Sequence, residues 1–230
     1  MSGQVEEPIR TFAFVDMAGY TALTEQHGDV GAADCAQRFY AMAESALRDD
    51  ARIVKRIGDA VMLTSVAPAG CIRSIFAMLE RADAEPSFLG LRAGLCAGPA
   101  VERDNDYFGG AVNLAARIGA HARAGEILCN ERVAGAARVE NLCRVVLLGE
   151  VALKNIAHPV SVWSLLPAAI TGTTSDPIDP VCRMRVKTPA VSLRFANATF
   201  VFCSDACAER FRHEPAAFVS GDLDPDGGRR

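Results

Sequence analysis

The feature that most constrains the fold is an alternation of short apolar segments with longer amphipathic segments between residues 11 and 165. Short apolar or alternating runs indicate strands, and apolar residues three or four positions apart indicate helices. Strands are predicted at 11–15, 51–57, 60–66, 91–97, 126–129, 144–148 and 160–165. Helices are predicted at 31–50, 68–84 and 111–121, with a polar loop at 102–106. The turn at Gly58-Asp59 favours a hairpin, so we expect an α+β fold with a mixed or largely antiparallel sheet.

The chain changes character after this series. Pro167, Gly172 and several hydroxyl residues mark a linker by their composition. We therefore expect a main domain at 10–166, a linker at 167–176, a small domain at 177–220 and a flexible tail at 221–230.

Charge and hydropathy exclude two classes of partner. A net charge of −4 gives no basic footprint for nucleic acid, and no apolar stretch is long enough to span a membrane. The N-terminus lacks a secretory pattern, so a cytoplasmic protein is expected. In that compartment cysteines act as thiols or metal ligands rather than as disulfides. Five cysteines among apolar neighbours are predicted to be small core residues: Cys35, Cys71, Cys96, Cys129 and Cys143.

Two aspartates follow apolar segments at positions where strands are expected to end. Asp16 ends the first predicted strand, and Asp59 occupies the hairpin turn. If the strands are neighbours, both carboxylates reach one edge of the sheet, where they would suit magnesium and substrate phosphate. Gly19 would let the backbone approach phosphates at the following helix start. The alternative makes Asp16 a helix cap and Asp59 a turn former.

Asn113 and Arg117 lie four residues apart, hence on one face of the predicted third helix. Placed after Gly109 and Gly110, they could hold a ribose and a phosphate, or they could form an ordinary surface face. The sequence has no Walker-type glycine loop followed by Lys-Ser or Lys-Thr, which argues against a P-loop nucleotidase.

Four ordered segments resemble the successive signatures of the class III nucleotidyl cyclase catalytic domain. They are Phe14-Val15-Asp16-Met17-Ala18-Gly19-Tyr20-Thr21, Lys55-Arg56-Ile57-Gly58-Asp59-Ala60, Asp106-Tyr107-Phe108-Gly109-Gly110-Ala111-Val112-Asn113-Leu114-Ala115-Ala116-Arg117 and Leu153-Lys154-Asn155-Ile156. The resemblance implies a ferredoxin-like domain that binds ATP between the subunits of a head-to-tail homodimer. It also implies that Asp16 and Asp59 carry two magnesium or manganese ions on one subunit.

The same resemblance assigns five residues to the substrate half on the other subunit. Lys55 and Asp106 would read adenine, Asn113 and Arg117 would stabilise the ribose and the transition state, and Lys154 would bind the terminal phosphates. The implied reaction is cyclisation of ATP to 3′,5′-cyclic AMP with loss of pyrophosphate. A monomer would be inactive.

Two alternatives stay open at this point. One is a guanylate cyclase, although guanine-specific relatives typically carry glutamate and cysteine at the positions of Lys55 and Asp106. The other is a non-catalytic, nucleotide-responsive or metal-responsive interaction protein with a cyclase fold. Asn155 stands where the family usually has glycine, and asparagine tolerates the left-handed conformation better than most residues.

A second signal lies near the C-terminus, where Cys182, Cys203 and Cys207 have the spacing of a metal knuckle. Three thiolates suit zinc or another soft metal such as cuprous ion. The fourth ligand is left open among Asp179, Met184 and His213.

The surrounding residues resemble the YHS domain, a relative of the treble-clef metal-binding knuckles. The resemblance rests on Asp179-Pro180-Val181-Cys182-Arg183-Met184, on Phe200-Val201-Phe202-Cys203-Ser204-Asp205-Ala206-Cys207, and on Phe211 with Pro215. Arg183 stands where glycine is common. The alternative is a small fold with buried thiols and no metal, but so few residues make a meagre core that often needs a metal. Joined to a cyclase domain, such a module would be a regulatory input.

Overall fold

The computed structural model describes residues 8–167, 176–196 and 198–219. The larger part contains the strands β1 (Ile9–Met17), β2 (Arg52–Ile57), β3 (Ala60–Ser65), β4 (Leu91–Pro99), β5 (Val101–Arg103), β6 (Asp106–Phe108), β7 (Ile127–Asn130), β8 (Arg144–Val151) and β9 (Val160–Leu166). Its helices are α1 (Tyr20–Ala46), α2 (Pro68–Ala84), α3 (Gly110–His121) and α4 (Glu131–Val139). The C-terminal unit, residues 176–219 as far as they are described, contains β10 (Val191–Phe195), β11 (Ala198–Phe202), α5 (Asp205–His213) and α6 (Pro215–Val219).

The main sheet has the strand order β2-β3-β1-β4-β7-β9-β8. The pair β4 and β7 is parallel, and the other neighbouring pairs are antiparallel. The predicted α+β class with a mixed, largely antiparallel sheet is therefore confirmed.

Strand β1 lies between β3 and β4, so both of its faces are covered. Ala13, Val15 and Met17 pack into a core with residues of α1, α2 and α4. Phe12, on the opposite face, packs into a second core with residues of α3. Because successive side chains of a strand alternate between faces, this placement explains why the segment is apolar at almost every position.

Two local predictions were wrong, and one helix was missed. Residues 102–106 are not a plain loop but connect β5 and β6, a short hairpin that turns at Asp104 and Asn105, both with positive φ. Helix α1 begins at Tyr20 rather than near residue 31 and has a kink at Gly28. Its first part was not predicted because the sequence around that glycine is polar. Helix α4 was not predicted; Asn130 caps it by accepting a hydrogen bond from the Val133 amide at 3.2 Å.

The five isolated cysteines are buried, as predicted. In the described part of the chain, no helix is long and apolar enough to cross a membrane. The predicted tail and most of the predicted linker lie outside the described residues.

The C-terminal unit has its own small core and docks on the segment that follows α2. Its core includes Cys182, Phe202, Cys207 and Phe211. The Arg185 amide donates to the Phe88 carbonyl at 3.0 Å, a contact that ties the unit to the larger part of the chain.

Two further links reinforce this docking. The Lys187 ammonium donates to the Ala84 carbonyl at 2.8 Å, and the Arg185 guanidinium pairs with Asp83. The unit is therefore held against the end of α2 by both backbone and side-chain contacts.

Candidate active site and cysteine cluster

Asp16 and Asp59 are brought together by the pairing of β1 with the β2–β3 hairpin. Asp16 lies opposite Ala60 in the register, and the Met17 amide donates to the Asp59 carbonyl at 3.1 Å. The two aspartates that the sequence placed on separate segments therefore lie at the same edge of the sheet.

A third charged residue, Arg92, joins them. It lies opposite Asp16 on β4, and its Nε and Nη2 reach Asp16 Oδ2 at 2.6 and 2.5 Å. Burial raises the pKa of Asp16 to about 6; the Arg92 guanidinium opposes this rise, and the nearby Asp59 carboxylate adds to it.

The donors at this edge fit hard divalent cations. Two carboxylates that disfavour each other's charge are stabilised by a cation between them, and oxygen is the ligand that magnesium prefers. Because Arg92 occupies one oxygen of Asp16, a cation at this place would share that carboxylate with the guanidinium.

Lys55 and Asp106 form an ion pair. Strand β2 carries Lys55 and β6 carries Asp106, and Lys55 Nζ lies 2.5 Å from Asp106 Oδ2. The hydrogen bond from Lys55 lowers the pKa of Asp106, with help from the Tyr107 amide. An ammonium and a carboxylate are thus presented side by side at the surface, one a donor and the other an acceptor.

The β5–β6 hairpin positions Asp106 because its central residue is anchored. Tyr107 packs against Phe12 with ring centroids 5.2 Å apart, and its hydroxyl accepts a hydrogen bond from Arg52 at 2.6 Å. Arg52 also pairs with Glu102 of the same hairpin at 3.0 Å. The hairpin is therefore fixed beside β2, where Lys55 lies.

Helix α3 carries Asn113 and Arg117 one turn apart, Asn113 exposed and Arg117 half-buried. The helix lies close against β4: a Cβ on Gly94 would be 2.0 Å from the Gly119 nitrogen. Only glycine at position 94 permits this approach, which sets the depth at which the helix presents both side chains.

Lys154 lies exposed in the connection between β8 and β9. The preceding Leu153 packs in one cluster with Ile118 of α3. The connection that carries Lys154 is therefore anchored next to the helix turn that carries Arg117. The expectation that Asn155 tolerates a left-handed backbone is confirmed, because its φ is 63°.

The cysteine cluster consists of Cys182, Cys203 and Cys207. The Sγ of Cys203 lies 3.4 Å from that of Cys182 and 3.6 Å from that of Cys207. Hydrogen bonds from the other two thiols lower the pKa of Cys207 to about 4. Hydrogen bonds with Cys203 and Cys207 raise the pKa of Cys182, so the favoured thiolate is at Cys207.

The structure places the three candidates for a fourth ligand differently. Asp179 is buried, and its oxygens accept hydrogen bonds from the amides of Val181 and Cys203 at 2.8 Å each, so it shapes the knuckle backbone. Met184 packs between the core of the larger part and that of the C-terminal unit. His213 is exposed in the last turn of α5.

Sequence reasoning missed two residues of these sites. Arg92 was within a predicted strand, but its contact with Asp16 depends on a long-range register. His27, on α1 of the larger part of the chain, places its Nε2 3.8 Å from Cys203 Sγ of the C-terminal unit. The only available signal was that the chain has four histidines and the cysteine cluster lacked a ligand.

The family model described as the adenylate and guanylate cyclase catalytic domain matches residues 5–166, and the YHS domain model matches residues 178–222. A pH-sensitive adenylate cyclase from Mycobacterium tuberculosis is 36% identical over 123 residues, which cover 54% of this chain and 31% of that protein. Adenylate cyclase 2 from Rhizobium meliloti is 30% identical over 198 residues, which cover 75% of this chain and 54% of that protein. This chain spans less than two thirds of either relative.

Among solved structures, adenylate cyclases from Trypanosoma brucei in their monomeric state share the fold. The TM-score is 0.60 at 21% identity, over 71% of this chain and 92% of theirs. The resemblance that the ordered motifs indicated is thereby confirmed: the chain belongs to the adenylate and guanylate cyclase catalytic domain family and carries a YHS domain after its cyclase domain.

Proposed function

We propose that the chain is an adenylate cyclase that converts ATP to 3′,5′-cyclic AMP and pyrophosphate. The observation that carries the choice of ATP is the pair of Lys55 Nζ and Asp106 Oδ2, 2.5 Å apart. Adenine presents an acceptor at N1 beside a donor at its 6-amino group, which an ammonium and a carboxylate can satisfy together. Guanine presents its acceptor, O6, and its donor, N1–H, in the reverse order, so it would require the ammonium and the carboxylate to exchange places.

In this reaction the ribose O3′ bonds to the α-phosphorus, the bond from that phosphorus to the bridging oxygen breaks, and pyrophosphate leaves. Asp16 and Asp59 would hold two magnesium or manganese ions, and such ions would supply the charge that lowers the pKa of the 3′-hydroxyl and neutralises the phosphates. The hydroxyl proton passes to water or to a substrate phosphate, since none of the motif side chains is an evident base.

The remaining side chains bind and orient the substrate. Asn113 presents an exposed amide that can fix the ribose, and Arg117, one turn further along α3, supplies positive charge to the α-phosphoryl group as charge develops there. Lys154, on the connection anchored beside α3, would bind the terminal phosphates.

The working form in this proposal is a homodimer with the metal half of each site on one copy and the substrate half on the other. Exposed apolar side chains support an interface near the substrate half. Ile57 on β2 and Phe108 on β6 are 43% and 55% exposed, and they lie two residues after Lys55 and Asp106 on the same two strands. A second copy that covers them would remove apolar surface from water next to the bound base.

We also propose that Cys182, Cys203 and Cys207 bind a soft metal, zinc or cuprous ion. Their Sγ separations of 3.4 and 3.6 Å support this, because thiolates at about 2.3 Å from a tetrahedral zinc are about 3.8 Å apart. Titrating zinc and copper into the wild type and Cys203→Ser while the cyclase rate is measured would test regulation. Identical curves would exclude control through these thiols.

The central test is product identification. Purified protein is incubated with ATP or GTP and with magnesium or manganese, and the cyclic product is identified by mass spectrometry. Cyclic AMP from ATP, absent with Asp59→Asn, is the expected result. Cyclic GMP as the main product would indicate a guanylate cyclase, and no cyclic product from any combination would favour a non-catalytic protein.

A further inference from the structure

A histidine of the cyclase domain completes the cysteine cluster. The Nε2 of His27 and the Sγ atoms of Cys182, Cys203 and Cys207 all lie within 4.8 Å of one another. His27 Nε2 lies 3.8 Å from Cys203 Sγ. This is about the distance between two ligand atoms of a tetrahedral zinc ion. Four donors of the kinds that zinc prefers therefore converge on one small volume.

The position of His27 is fixed by contacts that its neighbours on α1 make with the C-terminal unit. It follows Gln26 and Glu25 near the end of the first part of α1, just before the kink at Gly28. Arg210 of α5 donates to Gln26 Oε1 at 3.0 Å and lies 3.8 Å from Glu25. Because α5 also carries Cys207, this guanidinium holds the two helices together beside the four donor atoms.

We propose that one zinc ion, bound by the three thiolates and by His27 Nε2, clamps the YHS domain onto the cyclase domain. The inference rests on the proposed metal binding by the cysteines and adds the ligand that closes the site. A set of three cysteines and one histidine is a closed structural zinc set, with no position left for substrate. Asp179 does not compete, since its oxygens serve the knuckle amides.

The clamp reaches the backbone next to the proposed catalytic metals. Arg183, which follows the ligand Cys182, lies against Gly19, so closely that a Cβ on Gly19 would be 2.6 Å from Arg183 Cβ. Gly19 stands between Asp16 and the start of α1. With metal bound, the segment from Asp16 to His27, which includes the first part of α1, would be held at one end by the sheet and at the other by the clamp.

Metal binding to the purified full chain tests the inference directly, with Co²⁺ as a spectroscopic substitute for zinc. The wild type should bind one equivalent with the absorption of a tetrahedral site of three thiolates and one nitrogen. His27→Ala should weaken binding at least roughly tenfold, the lower end of what losing even an outer partner of a metal ligand costs. His213→Ala, which removes the histidine of α5, is the matched control and should bind like the wild type.

The variant His27→Cys distinguishes loss of a ligand from misfolding. It should retain tight binding, and its thiolate-to-cobalt absorption should rise because a fourth sulfur replaces the nitrogen. Unchanged affinity and spectrum in His27→Ala would overturn the clamp; if Cys203→Ser abolished binding in the same assay, the cysteine site would survive without it. Loss in His213→Ala, or no binding by the wild type, would also overturn the inference.

Amide hydrogen exchange measures whether zinc binding at the cluster restrains the cyclase domain. Zinc should slow exchange of the amides at 17–27 in the wild type and leave it unchanged in His27→Ala. If zinc slows exchange equally in both proteins, the ion does not act through His27, contrary to the proposed clamp.

Discussion

The candidate active site and the cysteine–histidine cluster are assembled from distant parts of the sequence in opposite ways. In the active site the charged residues neutralise one another in pairs, Asp16 with Arg92 and Lys55 with Asp106, at partly exposed positions. In the cluster four donor atoms lie within 4.8 Å, and two of the cysteines are buried. The proposed active site therefore presents charges that already have partners within the chain, whereas the cluster presents four metal-binding atoms around one small volume. We therefore expect the active site to need a second copy of the chain and the cluster to need only one.

Mixing two inactive variants gives the largest expected effect. Asp59→Ala, which removes a metal-half carboxylate, should reduce turnover more than about 10³-fold, and Asn113→Ala roughly 10²-fold with nucleotide binding retained. If the two variants are mixed in equal amounts and pair at random, half of all dimers contain one copy of each variant. Each such heterodimer has one intact site of two, so the mixture should recover about a quarter of the wild-type rate. Cyclic AMP formation is measured as the ratio of the two variants is varied. A mixture no more active than its parts would contradict the shared site.

The same design applied to the cluster should give the opposite result. His27→Ala and Cys203→Ser each lack one ligand, and because all four ligands come from one chain, mixing them should not restore tight Co²⁺ binding. The loss of affinity, at least roughly tenfold in each variant, should persist in the mixture. Titration with Co²⁺ at equal concentrations of the two proteins is the measurement. Restored binding would mean that the YHS domain docks on the partner chain, and the contrast with the active site would disappear.

Much of the fold follows from local signals. The apolar run of β1 and the Gly58-Asp59 turn identified their elements because burial on a sheet and hairpin geometry act over a few residues. The β5–β6 hairpin was not predicted, because its turn, at Asp104 and Asn105, lies in a polar segment with no apolar alternation.

In the candidate sites, too, local signals identified residues but not the long-range contacts between them. Residue types in ordered motifs were enough to name Lys55 and Asp106, but not to show that a hairpin anchored by Tyr107 brings them together. Arg92 and His27 could not be found, since each meets its partners only through the register of β4 or the docking of two domains. Long-range packing decides such contacts, and no local pattern encodes them.

Acid should weaken metal binding at Asp16 and Asp59. The pKa of Asp16 is raised to about 6, so its carboxylate is charged above that pH and neutral below it. The magnesium concentration that half-saturates cyclase activity should then rise roughly tenfold for each pH unit below about 6. Arg92→Gln removes a charge that lowers this pKa, so the rise should begin at higher pH; Arg73→Gln, whose partner is Asp49, is the control. Identical profiles for the two variants would show that Arg92 does not tune Asp16.

The smallest effect concerns the contact that joins the two sites. Gly19 and Gly58 both have positive φ, but only at Gly19 would a Cβ meet the YHS domain, 2.6 Å from Arg183 Cβ. Alanine at either position should cost about 1 kcal/mol for the left-handed backbone, and at Gly19 about 1 kcal/mol more for overpacking. Denaturant midpoints of the zinc-loaded protein measure the difference, and Arg183→Gly should remove the extra cost at Gly19 without changing that at Gly58. If both alanine variants are equally stable, Arg183 does not hold the turn next to Asp16, and metal at the cluster has no route to the active site through this contact.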